Sequence, residues 1–202
     1  MPDSYKTIVK LSEGIYKEKG SKFLSFAIPA TSVEEVKLIL EEYRKRFYDA
    51  RHVCYAYMLG AGRNEFRAND DGEPSGTAGR PILGQINSFE LTNILVIVAR
   101  YFGGILLGTG GLITAYKEAA KDALAQAEVL EKTVKIRFKI EFGYELMNDV
   151  LRIFKDFEPE IISTELQYTC RYEVDVPKAQ ADQFFKKTNS IFGVNITKTD
   201  DA

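Results

Sequence analysis

Tryptophan is absent from this 202-residue chain, histidine occurs once (His52), and there are only two cysteines and six prolines. Each scarcity removes a class of chemistry. One histidine cannot build the His-rich zinc set of a metallopeptidase, and any Ser-His-acid triad would have to use His52 itself. Cys54 and Cys170 lie far apart, without zinc spacing and without the numbers of a disulfide framework. Cys54 reads as a small buried residue, and a reducing, cytoplasmic location is the expectation. The first residues carry no apolar signal region, and nowhere do about 18 apolar residues run together, so neither export nor a membrane span is expected. A basic excess is missing too. The formal net charge is −2, and neither 1–131 nor 132–202 is a basic module, so a nucleic-acid contact would need a local patch.

What is present is the patterning of an α+β protein in two units, 1–131 and 132–202. In the first, 5–10 and 22–30 read as strands with hairpin character between them. Ser32 caps a helix, Glu35 completes a capping box, and Val36, Ile39, Leu40, Tyr43 and Phe47 form its apolar stripe. A strand starts at Arg51. Residues 60–81 then lose all periodicity, with five glycines and two prolines, apart from a short strand at 65–68. Long loops of this kind in compact domains tend to carry function. A short helix at Pro81 buries Ile82, Leu83, Ile86 and Phe89. The apolar strand 94–99 runs into Arg-Tyr-Phe-Gly-Gly-Ile-Leu-Leu-Gly-Thr-Gly-Gly-Leu-Ile-Thr-Ala-Tyr (100–116), where five glycines fall within nine residues, and a helix leads out from Leu112.

In the second unit, 133–142 alternates strictly: Val134, Ile136, Phe138 and Ile140 face one way and Lys135, Arg137 and Lys139 the other. A helix over 144–154 with Leu146, Val150, Leu151 and Phe154 inward, strands over 160–164 and 167–176, a helix opened by Pro177, and a strand over 194–197 complete a β-α-β-β-α-β order. That is the ferredoxin-like pattern.

Strand, glycine turn and helix together are a way of presenting backbone amides to an anion. Thr109, Gly110 and Gly111 open the helix, and Arg51, Arg80 and Arg100 are candidate countercharges. The same glycines also suit a turn that needs only positive φ and close packing. There is no Gly-x-x-x-x-Gly-Lys loop, which argues against a Walker-type nucleotide site. Asp70, Asp71 and Glu73 put three carboxylates in four residues. They are Mg²⁺ candidates, turn formers, or partners of Arg80 or Arg100 that hold the loop against the glycine turn. Ser75 is not in a Gly-x-Ser-x-Gly elbow; it and Tyr101 join the candidate contact set as neighbours of these groups. His52 is a hydrogen-bonded structural residue or an acid–base group. Lys135, Arg137 and Lys139 suit phosphate contact, or else form a solvated face. They lack a stacking platform, because Phe138 points the other way.

Residues 69–83 and 100–116, with Lys19-Gly-Ser-Lys-Phe and Arg51-His-Val-Cys-Tyr-Ala upstream, resemble the signature of the YigZ/IMPACT family. The C-terminal unit resembles the second domain of bacterial members, which is similar to the last domain of elongation factor G. The resemblance implies an α+β N-terminal domain, a ribosomal-protein-like βαβ sandwich. That fold is shared with domain IV of elongation factor G, a small-subunit ribosomal protein and GHMP kinases. It also implies a link to translation. Eukaryotic relatives regulate it under amino-acid starvation through partner proteins of a general-control kinase, and a nucleic-acid or ribosome-related role is the usual suggestion for bacterial members. Leu106-Leu107 stands where the family often has Lys-Leu, which removes one positive charge beside the turn. The expectation is a binding protein without a cofactor, contacting RNA, the ribosome or a protein partner through 69–81 and 100–111 as one composite surface. The alternative is a Mg-dependent enzyme acting on a phosphorylated small molecule or nucleotide, which needs the acidic loop and the glycine turn in one cleft.

Overall fold

The computed structural model describes residues 3–199. The chain divides into two compact units, Met1–Lys132 and Thr133–Ala202, and the architecture is α+β in both. No helix among the described residues is long and apolar enough to cross a membrane.

The first unit is built on an antiparallel sheet of β2 (Ser12–Glu18), β3 (Ser21–Pro29), β4 (His52–Leu59), β5 (Glu65–Asn69) and β6 (Ile94–Tyr101), in the order β2-β3-β6-β4-β5. The central strand β6 is apolar without interruption from Ile94 to Ala99, and these residues are all fully buried. A strand of that composition needs cover on both faces. Ile94, Val96 and Val98 pack beneath α2 (Gly79–Ser88) and α3 (Gly108–Ala125), while Leu95, Ile97 and Ala99 pack against α1 (Val33–Arg46). The row Ala115, Ala119, Ala120 and Ala123 is fully buried, so α3 lies close on the sheet. β1 (Ser4–Ile8) and β7 (Val129–Thr133) pair as a separate ribbon. The sequence does not announce β7, because all five of its residues are exposed and carry no alternation.

Ser32 caps α1 as expected, its Oγ accepting from the Glu35 amide at 3.2 Å. The return half of the box is displaced by one residue, since the Glu35 carboxylate accepts from the Thr31 amide at 2.8 Å. Val36, Leu40, Tyr43 and Phe47 are buried. The helix expected to open at Thr109, Gly110 and Gly111 begins at Gly108, so these glycines form its first turn.

The second unit comprises β8 (Lys135–Gly143), α4 (Met147–Phe157), β9 (Glu160–Leu166), β10 (Thr169–Pro177), α5 (Lys178–Asn189) and β11 (Asn195–Lys198). The sheet order β11-β8-β10-β9 with antiparallel neighbours is the ferredoxin-like arrangement. One inward residue differs from expectation. Tyr144–Leu146 form a 3₁₀ turn and the α-helix starts only at Met147. The buried positions are therefore Val150, Ile153 and Phe154, and Leu151 is 41% exposed.

Candidate functional site

The strand register sets the site. Phe23, Arg100 and His52 are cross-strand neighbours on β3, β6 and β4. Strand parity turns Arg100 toward α3, where its guanidinium lies over the Phe23 ring, 5.6 Å from the centroid. The same parity turns Tyr101 to the opposite face, where its hydroxyl donates to Asp49 at 2.9 Å. Tyr101, a member of the expected contact set, therefore packs on the α1 side of the sheet, on the face opposite Arg100.

Beyond Tyr101 the chain crosses the β2–β3 turn. A Cβ on Gly103 would lie 1.9 Å from the carbonyl carbon of Gly20, so only glycine fits there. The Gly103 amide donates to Ser21 Oγ at 3.2 Å. After an exposed lip at Ile105 and Leu106, Gly108 (φ +71°) swings the chain into α3. Leu107 stands at the cap position and offers no side-chain hydrogen bond, so the first amides of α3 have no side-chain acceptor.

Across from this turn, the 69–81 loop is held by its own carboxylates. Asp70 Oδ1 accepts from the amides of Ala78 (3.0 Å) and Gly79 (2.8 Å), and Oδ2 from Gly76 (2.8 Å). Burial pushes the Asp70 carboxyl up, but these three N–H donors and the Arg80 charge outweigh it and hold it below its ordinary value. Asp71, at φ +45°, accepts from the Val53 amide at 2.7 Å, and its carbonyl lies 2.7 Å from His52 Nδ1. A carbonyl only accepts, so the proton of neutral His52 sits on Nδ1, and Nε2 faces Glu73 Oε2 at 3.8 Å. Glu73 is buried. Its Oε1 accepts from Arg100 Nη1 at 2.6 Å and from the Tyr116 hydroxyl at 2.8 Å. Cys54 Sγ closes the cluster, 3.3 Å from the Tyr116 hydroxyl, and burial pushes its thiol well up.

Loop and turn meet in a cleft of about 480 Å³. Arg51, His52, Glu73 and Arg100 line one part, and Gly108 and Thr109 bring in the start of α3. Phe102, Leu106, Leu107 and Leu112 supply an apolar wall. The structure thus brings together Arg51, His52, Glu73, Arg100 and Thr109, and with them the first turn of α3 that contains Gly110 and Gly111.

Other expected contacts fall elsewhere. Asp70 serves the loop's own backbone, Asp71 accepts from the β4 backbone at Val53, and neither lines the cleft. Ser75 and Arg80 are exposed outside it. Of the two uses offered for Arg100, countercharge to an anion or partner of the acidic loop, the structure shows the second: it is buried, 5% exposed, and paired with Glu73. The Lys135, Arg137 and Lys139 stripe lies in the second unit on a charge-compensated face. Lys135 pairs with Glu160, Arg137 grips both oxygens of Asp175 at 2.7 and 2.9 Å, and Lys139 meets Glu173 at 3.1 Å. Sequence reasoning missed Tyr116 and the apolar wall. A tyrosine on the buried face of a helix needs a partner for its hydroxyl, and that signal points to Tyr116.

A family model described as the Impact N-terminal domain matches residues 19–124, more than half of the chain. The chain belongs to the IMPACT family. Within the IMPACT family it is 34% identical over 171 residues to IMPACT family member YigZ of Escherichia coli, covering 84% of either chain. It is 30% identical over 186 residues to IMPACT family member YvyE of Bacillus subtilis, covering 91% of this chain and 85% of that one. Protein IMPACT of Xenopus laevis is 35% identical over 96 residues, which is 45% of this chain and 30% of that protein. A crystal structure described as that of a hypothetical protein superposes over 100% of both chains, with a TM-score of 0.75 and 29% identity.

Proposed function

We propose that this protein is a translation-associated binding factor rather than an enzyme, and that the cleft between the 69–81 loop and the glycine turn is its contact surface. The association with translation comes from the family resemblance. The observation that carries the choice of surface is the convergence of two sequence-distant motifs, through Glu73 and Pro74 on one side and Gly108 and Thr109 on the other, over the buried Arg100–Glu73–Tyr116 cluster.

The groups in the cleft are arranged to hold. Glu73 Oε1 is committed to Arg100 and Tyr116, His52 Nδ1 to a carbonyl, and the Cys54 thiol is buried with its acidity suppressed. The convergence is also what a Mg-dependent enzyme of a phosphorylated small molecule would need. Here, however, Asp70 and Asp71 direct their oxygens to backbone amides. Among the described residues no group of three or more His, Cys, Asp or Glu side chains is placed to hold a metal ion.

The test is co-sedimentation with ribosomes at low salt. The wild-type protein is expected to be retained and released as salt rises, and the exposed rim change Arg51→Glu is expected to cut retention about tenfold. No retention of the wild type at low salt would overturn the reading, as would equal retention of wild type and variant.

A further inference from the structure

We infer that the occupant of the cleft is an apolar stretch of a protein partner carrying a carboxylate, either its C-terminus or an acidic side chain. The inference rests on reading the cleft as the contact surface.

Two independent features mark an anion seat. The first turn of α3 has no side-chain cap, and its Gly108 and Thr109 line the cleft, which brings the positive end of the helix dipole to it. Separately, Arg100 is buried on the cleft lining, and only Nη1 reaches Glu73; Nε is buried with no hydrogen-bond partner. Buried donors are nearly always paired, and an orphan beside a cleft marks where an acceptor belongs. At the rim, Arg51 is exposed, and its guanidinium has no hydrogen-bond or ion-pair partner among the described residues. The two guanidinium groups outnumber the one carboxylate, Glu73.

The rest of the cleft chooses among anions. Its wall is aliphatic and aromatic, and the lip is apolar as well: Leu106 is 82% exposed and Ile105 56% exposed. Apolar side chains presented beside a pocket fit a protein segment, which they desolvate on contact. They add nothing to a phosphodiester chain. RNA binding recruits several phosphates and one cation for each, whereas this cleft holds two guanidinium groups, one already paired. Phe102 is the one phenylalanine on the lining, and the Arg100 guanidinium, 5.7 Å from its centroid, takes one of its faces, so the cleft offers no run of rings for successive bases. The volume, about 480 Å³, suits a few side chains.

The experiment uses the full chain and four fluorescent probes, read by anisotropy. They are a leucine-rich peptide with a free C-terminal carboxylate, the same peptide amidated, an amidated version with one internal glutamate, and a single-stranded RNA. The free-acid or the glutamate peptide is expected to bind, and which of the two binds identifies the source of the carboxylate. The plain amide is expected to be at least about tenfold weaker, and Arg51→Glu and Leu106→Asp are each expected to weaken binding about tenfold. Both positions are exposed, and unchanged thermal melting checks that the fold is kept. Equal binding of amide and acid peptides would overturn the carboxylate seat. RNA binding sensitive to Arg51→Glu, with no peptide binding, would overturn the occupant while leaving the cleft as the contact surface. Ribosome retention insensitive to both variants would remove the contact surface itself.

Discussion

Glu73 shows how little of a residue's role lies in its local sequence. It sits among Asp70 and Asp71 in an acidic run, yet the three carboxylates do different work. Asp70 gathers the amides that begin α2, Asp71 fixes the entry of β4, and Glu73 alone turns inward to Arg100 and Tyr116. Sequence could state the alternatives for these carboxylates but not assign them, because the assignment depends on β6 lying beside β4. Glu73→Ala leaves a buried guanidinium without its counter-charge. It should cost about 3–5 kcal/mol in denaturant unfolding, and a double change that also makes Arg100 leucine should recover much of that loss. Asp70 gives a pH prediction. Its folded carboxyl titrates below its unfolded value, so its contribution is complete above the unfolded value and is lost as pH falls through the depressed one. Acid unfolding of Asp70→Asn should therefore begin from a lower stability at neutral pH and fall less steeply over that acid range.

Among the elements, α3 and the turn before it repay comparison with their glycines. The glycine-rich run is plain in the sequence, but not which glycines serve packing and which serve the cleft. Gly103 is the packing one. Gly103→Ala must push against the Gly20 backbone and should destabilise by about 1–3 kcal/mol or more. Gly110 lies in the first turn of α3, without a positive φ, and a Cβ added there would meet nothing within 4 Å. Gly110→Ala should therefore raise the melting temperature slightly, by about 0.4–1 kcal/mol of stability, through the less flexible unfolded chain. If the amides there meet a ligand, the same change should weaken binding, so stability and affinity move in opposite directions. The strongly periodic helices are legible because burial follows their stripe. The phase of α4 is not, since a 3₁₀ turn looks like helix in one dimension. β7 is not either, since an exposed ribbon strand has no pattern to read.

For the molecule as a whole, two ordinary charge balances conceal different surfaces. The ferredoxin-like order of the second unit is readable from its alternation, and so is the basic side of β8. What β10 sets opposite is not. The register places Asp175 beside Arg137 and Glu173 beside Lys139, a pairing that only the folded sheet creates. These cross-strand pairs neutralise the stripe, so charge reversal at Lys135 and Lys139 together should change ribosome retention by no more than about twofold, in contrast to Arg51→Glu. The Gly103–Gly20 crossing has a mechanical consequence for the first unit. The lip is a cantilever, clamped at its root where Gly103 donates to Ser21, with the amides of 104–107 donating to no backbone group among the described residues. Deuterium should enter 104–107 within the fastest phase of exchange while the root stays protected, and an occupant of the cleft should slow the tip without altering the root.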